Sequence, residues 1–506
     1  MRGFEKEKFM AGRSPQKEKK PKQTEPPKAS IPRWALLVLP LIVSVFGIIY
    51  GWSYAYSTPE AQAVATDLIA PTVSIVIVSH NENQYFGRTF GSIMANTPEN
   101  RLLEIIVVDD ASDPPASEEL EKMNLPKLTI IRNEERQGLI RAKTIGARAA
   151  KGDILIFLDA HIRAYPGWME PLVKLVQEND KRIAVPLIPV LNETTWEQIN
   201  NYVGIKMMFD WKMDFKWLKD DSNDLVPIMS GGLFAISRNW FFESGEYDLG
   251  MLQWGGENFE QSVRTWLCGG EIMLARDSKV GHMFRETSPY VINTTQIHVN
   301  KARAIDVWFD DYTNYYYRAN DIDVPRRSSY ESLASRYEIK KRLNCKPFQY
   351  FVDKFKKIMI ENDLWPTKVF HIQDVATGLC LAARPGEGRG IVIQTPCDKD
   401  DRSQIWIPDS WKRIRSGKYT SDCIMILEGL VRLGKCSAHR PEQRNWTFEP
   451  NQWLKKSPKE GQSGSPVCVR SIADSTTATV AECIDNNGLG RFKEVFVDEY
   501  KHDLYK

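Results

Sequence analysis

The chain has 506 residues, of which 42% are hydrophobic and 11% aromatic, and its formal net charge is +2. This composition excludes an intrinsically disordered chain and leaves room for two or three globular domains. A net charge so close to zero provides no field that would attract nucleic acid, so we expect no nucleic-acid partner.

The first feature along the chain is an apolar run of 19 residues, 34–52, without a charged side chain. As a helix it is just long enough to span a bilayer core. Residues 1–33 carry ten Lys or Arg against four Asp or Glu, and the next basic residue after the run is Arg88. The sequence therefore predicts a cytosolic tail (1–33), a single transmembrane anchor (34–52), a short stem (53–71) and a lumenal remainder. The charge asymmetry disfavours the alternative of a buried core helix.

A lumenal location would permit disulfides and N-linked glycans. Three sequons are the candidate glycosylation sites, Asn192, Asn293 and Asn445. Sequons are frequent by chance, so each of them is weak evidence taken alone.

Beyond the stem, β-branched runs at 73–82, 103–110, 127–133 and 153–161 alternate with helical stretches at 84–96, 116–122 and 139–150. This alternation predicts a doubly wound α/β domain whose ligands lie beyond the carboxyl ends of the strands. Several polar residues fall at such ends: His80, Asp109, Asp110, Asp159 and His161. The alternative is that an Asp at a strand end only forms a turn.

Asp159 and His161 lie two residues apart in an extended segment, so their side chains point to the same side. A carboxylate and an imidazole suit a Mn²⁺-like ion, with nucleotide phosphates as further ligands. A third candidate ligand, His282, comes much later in the chain.

Paired glycines mark the second half of this domain, in SGGLFAI (230–236) and in the segment 253–270. Paired glycines allow a ligand to approach the backbone closely. Glu257 and Asn258 follow one such pair at a predicted helix start and present polar groups there. A tight turn with a capping acid is the alternative.

With these motifs in order, the sequence resembles the polypeptide N-acetylgalactosaminyltransferases over about residues 72–506. The matching motifs are HNE (80–82), VVDDASD (107–113), RQGLIRAK (136–143), LDAH (158–161), SGGLF, WGGENFE, CGG, VGHMFR and NCKPF (344–348). The resemblance implies a GT-A catalytic domain (72–348), a linker (349–367) and a ricin-type β-trefoil lectin-like domain (368–506). It also implies a Golgi type II membrane protein that uses UDP-GalNAc and Mn²⁺ to modify Ser or Thr of acceptor polypeptides with retention of configuration.

The resemblance assigns roles to residues of this chain. Asp159, His161 and His282 match the metal ligands. The matches to donor-binding positions are His80, Asp110, Arg136, Lys143, Gly232 and Asn258. Glu257 matches a sugar-contacting catalytic position, and Trp254, Arg285 and Tyr290 match the site wall and a mobile loop over the diphosphate. The leaving phosphate can accept the hydroxyl proton, so no residue is named as a general base.

The chain departs from the family pattern at three positions near the expected site. Ala160 replaces the usual Ser of the metal motif, Lys143 replaces an Arg, and Val78 and Ser79 stand where an aromatic residue is common. Two alternatives to an active enzyme of this kind remain open. One is a catalytically silent relative that binds UDP or glycopeptides, and the other is a transferase that uses a different UDP-hexose.

All eight cysteines lie between Cys268 and Cys483. The resemblance implies a Cys268–Cys345 bridge. Cys380, Cys423 and Cys468 recur at intervals of 43 and 45 residues, which indicates three trefoil lobes with one bridge each. The expected lobe pairs are Cys380–Cys397, Cys423–Cys436 and Cys468–Cys483. The Q-x-W signature of such lobes is present at 403–406, displaced by one residue at 443–446 and degenerate at 489–492.

The lectin-like domain lacks the acid that a sugar-binding lobe of the family carries two residues after its first cysteine. Ala382, Met425 and Arg470 occupy these positions. We therefore expect the domain to bind free N-acetylgalactosamine weakly or not at all. Substitution of the missing acid by Asp398, Asp400 or Asp401 is the alternative.

Overall fold

The structure is a computed structural model. It describes residues 70–200, 206–218, 220–285, 293–320, 331–365, 368–384, 386, 390–418, 422–437, 440–448, 454–458, 464–470, 477–483 and 491–499. Within these ranges no helix has the length and apolar character needed to cross a membrane. The predicted tail and anchor, and all but the last two residues of the predicted stem, lie outside the described residues. The chain from Pro71 onward forms one compact unit.

The first part of this unit alternates strands and helices. Its elements are β1 (Val73–Ser79), α1 (Phe86–Asn96), β2 (Leu102–Asp110), α2 (Ser117–Leu120), β3 (Leu128–Asn133), α3 (Leu139–Ala149), β4 (Ile154–Asp159), β5 (Ile162–Ala164), α4 (Met169–Glu178), β6 (Arg182–Leu187), β7 (Val190–Leu191), β8 (Gln198–Asn200), β9 (Lys206–Phe209), β10 (Phe215–Leu218), β11 (Phe234–Ser237), α5 (Arg238–Glu243), α6 (Glu257–Leu267), β12 (Glu271–Met283), α7 (Thr294–Trp308), α8 (Thr313–Ala319), α9 (Ala334–Arg342) and α10 (Gln349–Glu361).

The strands build a ten-stranded mixed sheet in the order β3-β2-β1-β4-β11-β6-β12-β7-β8, with β5 paired to β12. Alternate residues of β1 enter different hydrophobic clusters. Val76 packs with residues of α3 and α6, whereas Ile75 and Ile77 pack with residues of α1 and α4. Both faces of the sheet are thus covered by helices, which confirms the predicted doubly wound α/β architecture and explains the continuous apolar strands.

The register of the parallel strands determines where the polar strand ends meet. Ser79 at the end of β1 lies opposite Asp109 of β2, and Val78 lies opposite Asp159 of β4. These ends form one edge of the sheet, which is the edge where ligands bind in folds of this type.

The second part of the unit is antiparallel. Its strands are β13 (Lys368–Asp374), β14 (Leu379–Arg384), β15 (Ile391–Pro396), β16 (Trp406–Pro408), β17 (Ile414–Ser416), β18 (Asp422–Leu427), β19 (Leu430–Lys435), β20 (Trp446–Phe448), β21 (Leu454–Lys456), β22 (Val467–Arg470), β23 (Thr479–Glu482) and β24 (Phe492–Glu499). They form a twelve-stranded sheet around an apolar core that includes Trp406 and Trp446.

A disulfide-linked hairpin recurs three times in this part. β14–β15, β18–β19 and β22–β23 are antiparallel pairs, stapled by Cys380–Cys397, Cys423–Cys436 and Cys468–Cys483 respectively. A fourth disulfide joins Cys268 to Cys345. The repeat agrees with the three lobes inferred from the cysteine spacing.

The displaced signature of the second lobe is accommodated by one extra residue. Gln404 lies two residues before Trp406 and donates to the carbonyl of Pro396. Gln443 lies three residues before Trp446 and makes the equivalent hydrogen bond to the carbonyl of Lys435. The additional residue, Asn445, adopts a left-handed conformation with φ of 64°. A local bulge therefore lets both the glutamine and the tryptophan keep their places in the lobe.

Helix α10 occupies most of the predicted linker and packs on the first part through Phe351 and Phe355. Just after it, the carboxylate of Asp363 accepts hydrogen bonds from the amide and hydroxyl of Ser410 at 2.9 and 2.6 Å. The guanidinium of Arg415 also donates to the Asp363 carbonyl. These contacts tie the linker to the antiparallel part.

Candidate functional site

A cavity of about 480 Å³ opens at the carboxyl edge of the large sheet. Its walls come from the ends of β1, β2, β4 and β12 and from the glycine-rich segments before β11 and α6. The lining residues are Val78, His80, Glu82, Asp110, Arg136, Leu139, Asp159, Ala160, His161, Ile188, Ser230, Gly231, Gly232, Leu233, Trp254, Glu257, His282, Met283, Phe284 and Arg285. The cavity thus gathers most of the site residues predicted from the sequence.

One cluster in this cavity has the composition of a metal site. Asp159 ends β4, His161 follows it, and His282 lies near the end of β12. Their ligand atoms all lie within 4.8 Å of one another, and His282 Nε2 is 3.0 Å from Asp159 Oδ2. One carboxylate oxygen and two imidazole nitrogens fit a Mn²⁺-like ion and leave coordination positions for phosphate oxygens.

The electrostatics of this cluster favour the protonation states that a metal needs. Burial alone would raise the pKa of Asp159, but the hydrogen bond from His282 and the charge of Lys143 hold it well below its usual range. Burial lowers the pKa of His282, against the opposing effect of Asp159. An ionised carboxylate and a neutral imidazole therefore face the same point at neutral pH.

Glu82 is a site residue that the sequence reasoning missed. Its carboxylate forms an ion pair with Arg285, and its Oε2 atom lies 3.3 Å from His161 Nδ1. The Arg285 guanidinium also stacks over the ring of Tyr85 at 5.6 Å. Glu82 thus orients a candidate metal ligand and a candidate diphosphate-binding cation together. Its place two residues after His80 in the HNE motif was the available signal.

On the nucleotide side, Asp110 supports the loop that carries Arg136. Its two carboxylate oxygens accept from the backbone amides of Gln137 and Gly138 at 2.7 and 2.8 Å, and from the side chain of Asn133. His80 Nδ1 lies 2.7 Å from the backbone carbonyl of Asp110. Arg136, Asp110 and His80 all line the cavity, as expected of residues that contact a nucleotide.

Asp109, the other carboxylate at the end of β2, has a structural role. It is buried, accepts from the backbone amides of Ser112 and Ala116, and pairs with Arg132. Its role is therefore to hold the turn after β2, which is the alternative that the sequence had left open for this pair of acids.

On another side, the wall of the cavity is formed by Gly231 and Gly232, and we call this segment the glycine wall. A Cβ atom on Gly232 would lie 2.3 Å from Asp159 Oδ2, so the backbone here lies directly against the candidate metal ligand. Glu257 faces the cavity, and its Oε2 atom accepts from the amide of Gly255. Burial raises the pKa of Glu257, although the charge of Lys143 opposes this effect.

Two residues expected to contact the donor occupy a different place. Lys143 and Asn258 are only 1% and 2% exposed and do not line the cavity. They lie behind the glycine wall, where Lys143 Nζ donates to the Gly231 carbonyl at 2.7 Å and Asn258 Nδ2 donates to the Met229 carbonyl at 3.0 Å. The motifs correctly placed Lys143 and Asn258 near the site, but they did not show that both side chains lie behind the glycine wall and outside the cavity.

The mouth of the cavity is aromatic. Trp254 and Phe284 are each 42% exposed although both line the cavity, so their rings are open to a further molecule. Tyr290, which the resemblance assigned with Trp254 and Arg285 to the site wall and the loop over the diphosphate, lies outside the described residues.

The three sequons differ in their surroundings. Asn192 accepts from the amides of Thr194 and Thr195 in the turn between β7 and β8. Asn293 caps α7 by accepting from the amide of Gln296. Asn445 donates its side-chain amide to the carbonyl of Pro458. Glycosylation at all three stays a prediction.

Two family models match the chain: Glycosyl transferase family 2 over residues 74–243, and the Ricin-type beta-trefoil lectin domain over residues 368–489. Human Polypeptide N-acetylgalactosaminyltransferase 14 is 38% identical over 407 residues, which cover 76% of this chain and 72% of that protein. Probable N-acetylgalactosaminyltransferase 6 of Caenorhabditis elegans is 33% identical over 420 residues, which cover 75% of this chain and 66%, about two thirds, of that protein.

A similar solved structure is that of GalNAc-T7 with UDP, GalNAc and Mn2+. The TM-score is 0.57 at 28% sequence identity, and the match covers 85% of this chain and 82% of that one. The similarity therefore extends over both the α/β part and the antiparallel part.

Proposed function

This chain belongs to the polypeptide N-acetylgalactosaminyltransferase family, and from that premise we propose that it transfers N-acetylgalactosamine from UDP-GalNAc to Ser or Thr hydroxyls of secretory polypeptides. The observation that carries the proposal is the Asp159, His161 and His282 cluster in one cavity with Arg285 and the glycine wall. A cavity with cations on one side and close backbone on the other suits a sugar nucleotide.

Mn²⁺ is the metal of the proposal, held by Asp159, His161 and His282, where it would supply positive charge next to the donor diphosphate. Arg285 adds a second positive charge on the same side, in an orientation maintained by Glu82. These fixed charges stabilise the negative charge that develops on the departing diphosphate.

The proposed transfer retains the configuration of the sugar. The bond between the anomeric carbon and the phosphate oxygen breaks, and the acceptor hydroxyl oxygen forms its bond on the face that the diphosphate leaves. The hydroxyl proton passes to the departing phosphate oxygen, so the products are UDP and the glycosylated side chain. Glu257 then has a binding role on the sugar side, and the reaction needs no carboxylate base.

We also propose that the protein is a single-pass type II protein of the Golgi membrane, anchored by residues 34–52, with the catalytic part in the lumen. The support is the excess of basic residues before the apolar run and the absence of Lys and Arg between that run and Arg88. Protease treatment of sealed microsomes tests this topology. Digestion of the catalytic part without detergent would rule it out.

The activity is tested with the full chain in detergent, UDP-GalNAc, Mn²⁺ and a library of Ser- and Thr-containing peptides. Transfer is expected for the wild type and should be lost in His161→Ala and His282→Ala, each with a melting temperature near that of the wild type. Glu257→Gln is expected to reduce turnover while UDP still binds. Absence of transfer and of donor hydrolysis by the wild type would favour a silent relative, and donor competition among UDP-hexoses would reveal a different donor.

A further inference from the structure

Lys143 is a buried cation next to the site but outside the cavity. It lies on α3, is only 1% exposed, and its ammonium donates to the backbone carbonyl of Gly231 at 2.7 Å. Removing an ammonium group from water is costly unless charged and polar partners replace the water. The Gly231 carbonyl is such a partner, and this contact shows which part of the site Lys143 can act on.

Lys143 contacts the glycine wall, and the backbone of this segment is restrained by further hydrogen bonds and close packing. Met229 just before it is fixed at both backbone atoms: its amide donates to Ser262 Oγ at 3.1 Å, and its carbonyl accepts from Asn258. A Cβ atom on Gly231 would lie 2.7 Å from the Cβ of Asn258, and one on Gly232 would lie 2.3 Å from Asp159 Oδ2. The wall is thus wedged between α6 and the candidate metal ligand.

Lys143 also supplies positive charge to the acid on the sugar side. Glu257 is buried at the cavity, which raises its pKa, and the charge of Lys143 opposes this rise. Without this cation, the buried carboxylate would lose a charge that offsets its removal from water. Glu257 and the wall therefore depend on the same side chain.

We propose that Lys143 is a positioning residue that fixes the wall at Gly231 and Gly232 and so determines which UDP-hexose the site accepts. The inference rests on the proposed function. UDP-GalNAc and UDP-GlcNAc differ only in the orientation of one sugar hydroxyl, and a site distinguishes them only if its own polar groups are held in fixed positions. In the proposed function the UDP part binds elsewhere, on the side of the cavity lined by His80, Asp110 and Arg136.

The test compares Lys143→Met and Lys143→Arg with a matched control, Lys206→Met. Lys206 is also 1% exposed and is paired with Asp220 at 2.7 Å, but it lies on β9 and does not line the cavity. Both methionine variants therefore lose a buried lysine, so any general effect of that loss on stability should appear in both of them. Only Lys143→Met is expected to change the handling of the sugar.

For Lys143→Met we expect kcat/KM for UDP-GalNAc to fall by about tenfold or more, and its ratio to kcat/KM for UDP-GlcNAc to fall as well, since one misplaced contact in such a site has effects of this size. The dissociation constant of UDP with Mn²⁺ should stay within about threefold of the wild type. Lys143→Arg should recover part of the loss because the charge remains. Lys206→Met should lower only the melting temperature.

Unchanged kinetics and unchanged donor preference in a folded Lys143→Met protein would overturn the inference, and so would an equal loss in Lys206→Met. If the wild type transfers no N-acetylgalactosamine, the proposed function fails by itself. In that case, the calorimetric affinities for UDP-GalNAc and for UDP still test whether Lys143 positions the wall that contacts the sugar. The inference requires that the ratio of these affinities falls in Lys143→Met and stays constant in Lys206→Met, and a constant ratio in both would refute it.

Discussion

Gly232→Ala is the smallest change that should disable the candidate metal site. Its backbone is not in the left-handed region, so alanine can adopt the same conformation. The added Cβ would nevertheless lie 2.3 Å from Asp159 Oδ2 and 3.1 Å from its Cγ. Since real Cβ contacts are essentially never shorter than 3.0 Å, the carboxylate or the wall must move by about 0.7 Å.

This movement acts directly on the ligand geometry. Asp159 Oδ2 is also the atom that lies 3.0 Å from His282 Nε2, so a shifted carboxylate disturbs two of the three candidate ligands. A displacement approaching 1 Å in a catalytic arrangement reduces the rate by about 100-fold. We expect a loss of that order in Mn²⁺-dependent transfer, together with weaker Mn²⁺ binding in calorimetry.

The matched control is Gly91→Ala. Gly91 lies in α1, and a Cβ atom added there would meet no atom within 4 Å. Alanine is favoured over glycine within a helix by about 1 kcal/mol, so this variant should be at least as stable as the wild type and fully active. A Gly232→Ala protein that keeps its activity and Mn²⁺ affinity within threefold of the wild type would refute the reasoning, because the wall would then be free to move.

Three further predictions follow from other contacts. Glu82→Gln removes the charge that pairs with Arg285 and contacts His161, so transfer should fall by about 10- to 100-fold, and an unchanged KM for Mn²⁺ and donor would contradict this role. Replacing Cys268 and Cys345 together by alanine opens a loop with a sequence separation of 77 and should destabilise the fold by about 2–5 kcal/mol in chemical denaturation, without a change in donor preference. The isolated lectin-like domain, about residues 366–506, should show no saturable binding of N-acetylgalactosamine at low millimolar concentration in a calorimetric titration.

The sequence predicted the α/β part well because its signals are local. Buried parallel strands require continuous β-branched runs, and the polar residues directly after them must meet at one sheet edge whatever the rest of the chain does. Asp159 and His161 were found in this way. His282 is more than a hundred residues away from them, so the sequence offered it only as a candidate third ligand, and the motif resemblance then assigned it to the set.

The remaining features depend on which way side chains point in three dimensions. Lys143 follows Arg136 by seven residues in the same sequence motif, yet Arg136 lies in the loop before α3 and lines the cavity, whereas Lys143 lies on α3 behind the wall. Glu82 contacts Arg285 across a separation of 203 residues, which no local pattern encodes. The bulge at Asn445 likewise appears only when the hydrogen bonds of Gln443 are seen in place.

In the first lobe of the antiparallel part, two of the acids near the missing one are engaged with other groups of the protein. Ala382 is completely buried, and two residues further along the same strand Arg384 donates to Ser403 and approaches Asp401 to 3.6 Å. Asp401 also accepts from the amide of Ser403, and Asp398 accepts from the backbone two residues on. These acceptors already have protein partners. A sugar would compete with an ion pair and two turn-stabilising hydrogen bonds, each worth about 1 kcal/mol, whereas millimolar affinity corresponds to a total binding energy of only about 4 kcal/mol. The domain is therefore better suited to a packing or positioning role through the contacts of Ser410 with the linker than to capture of free sugar.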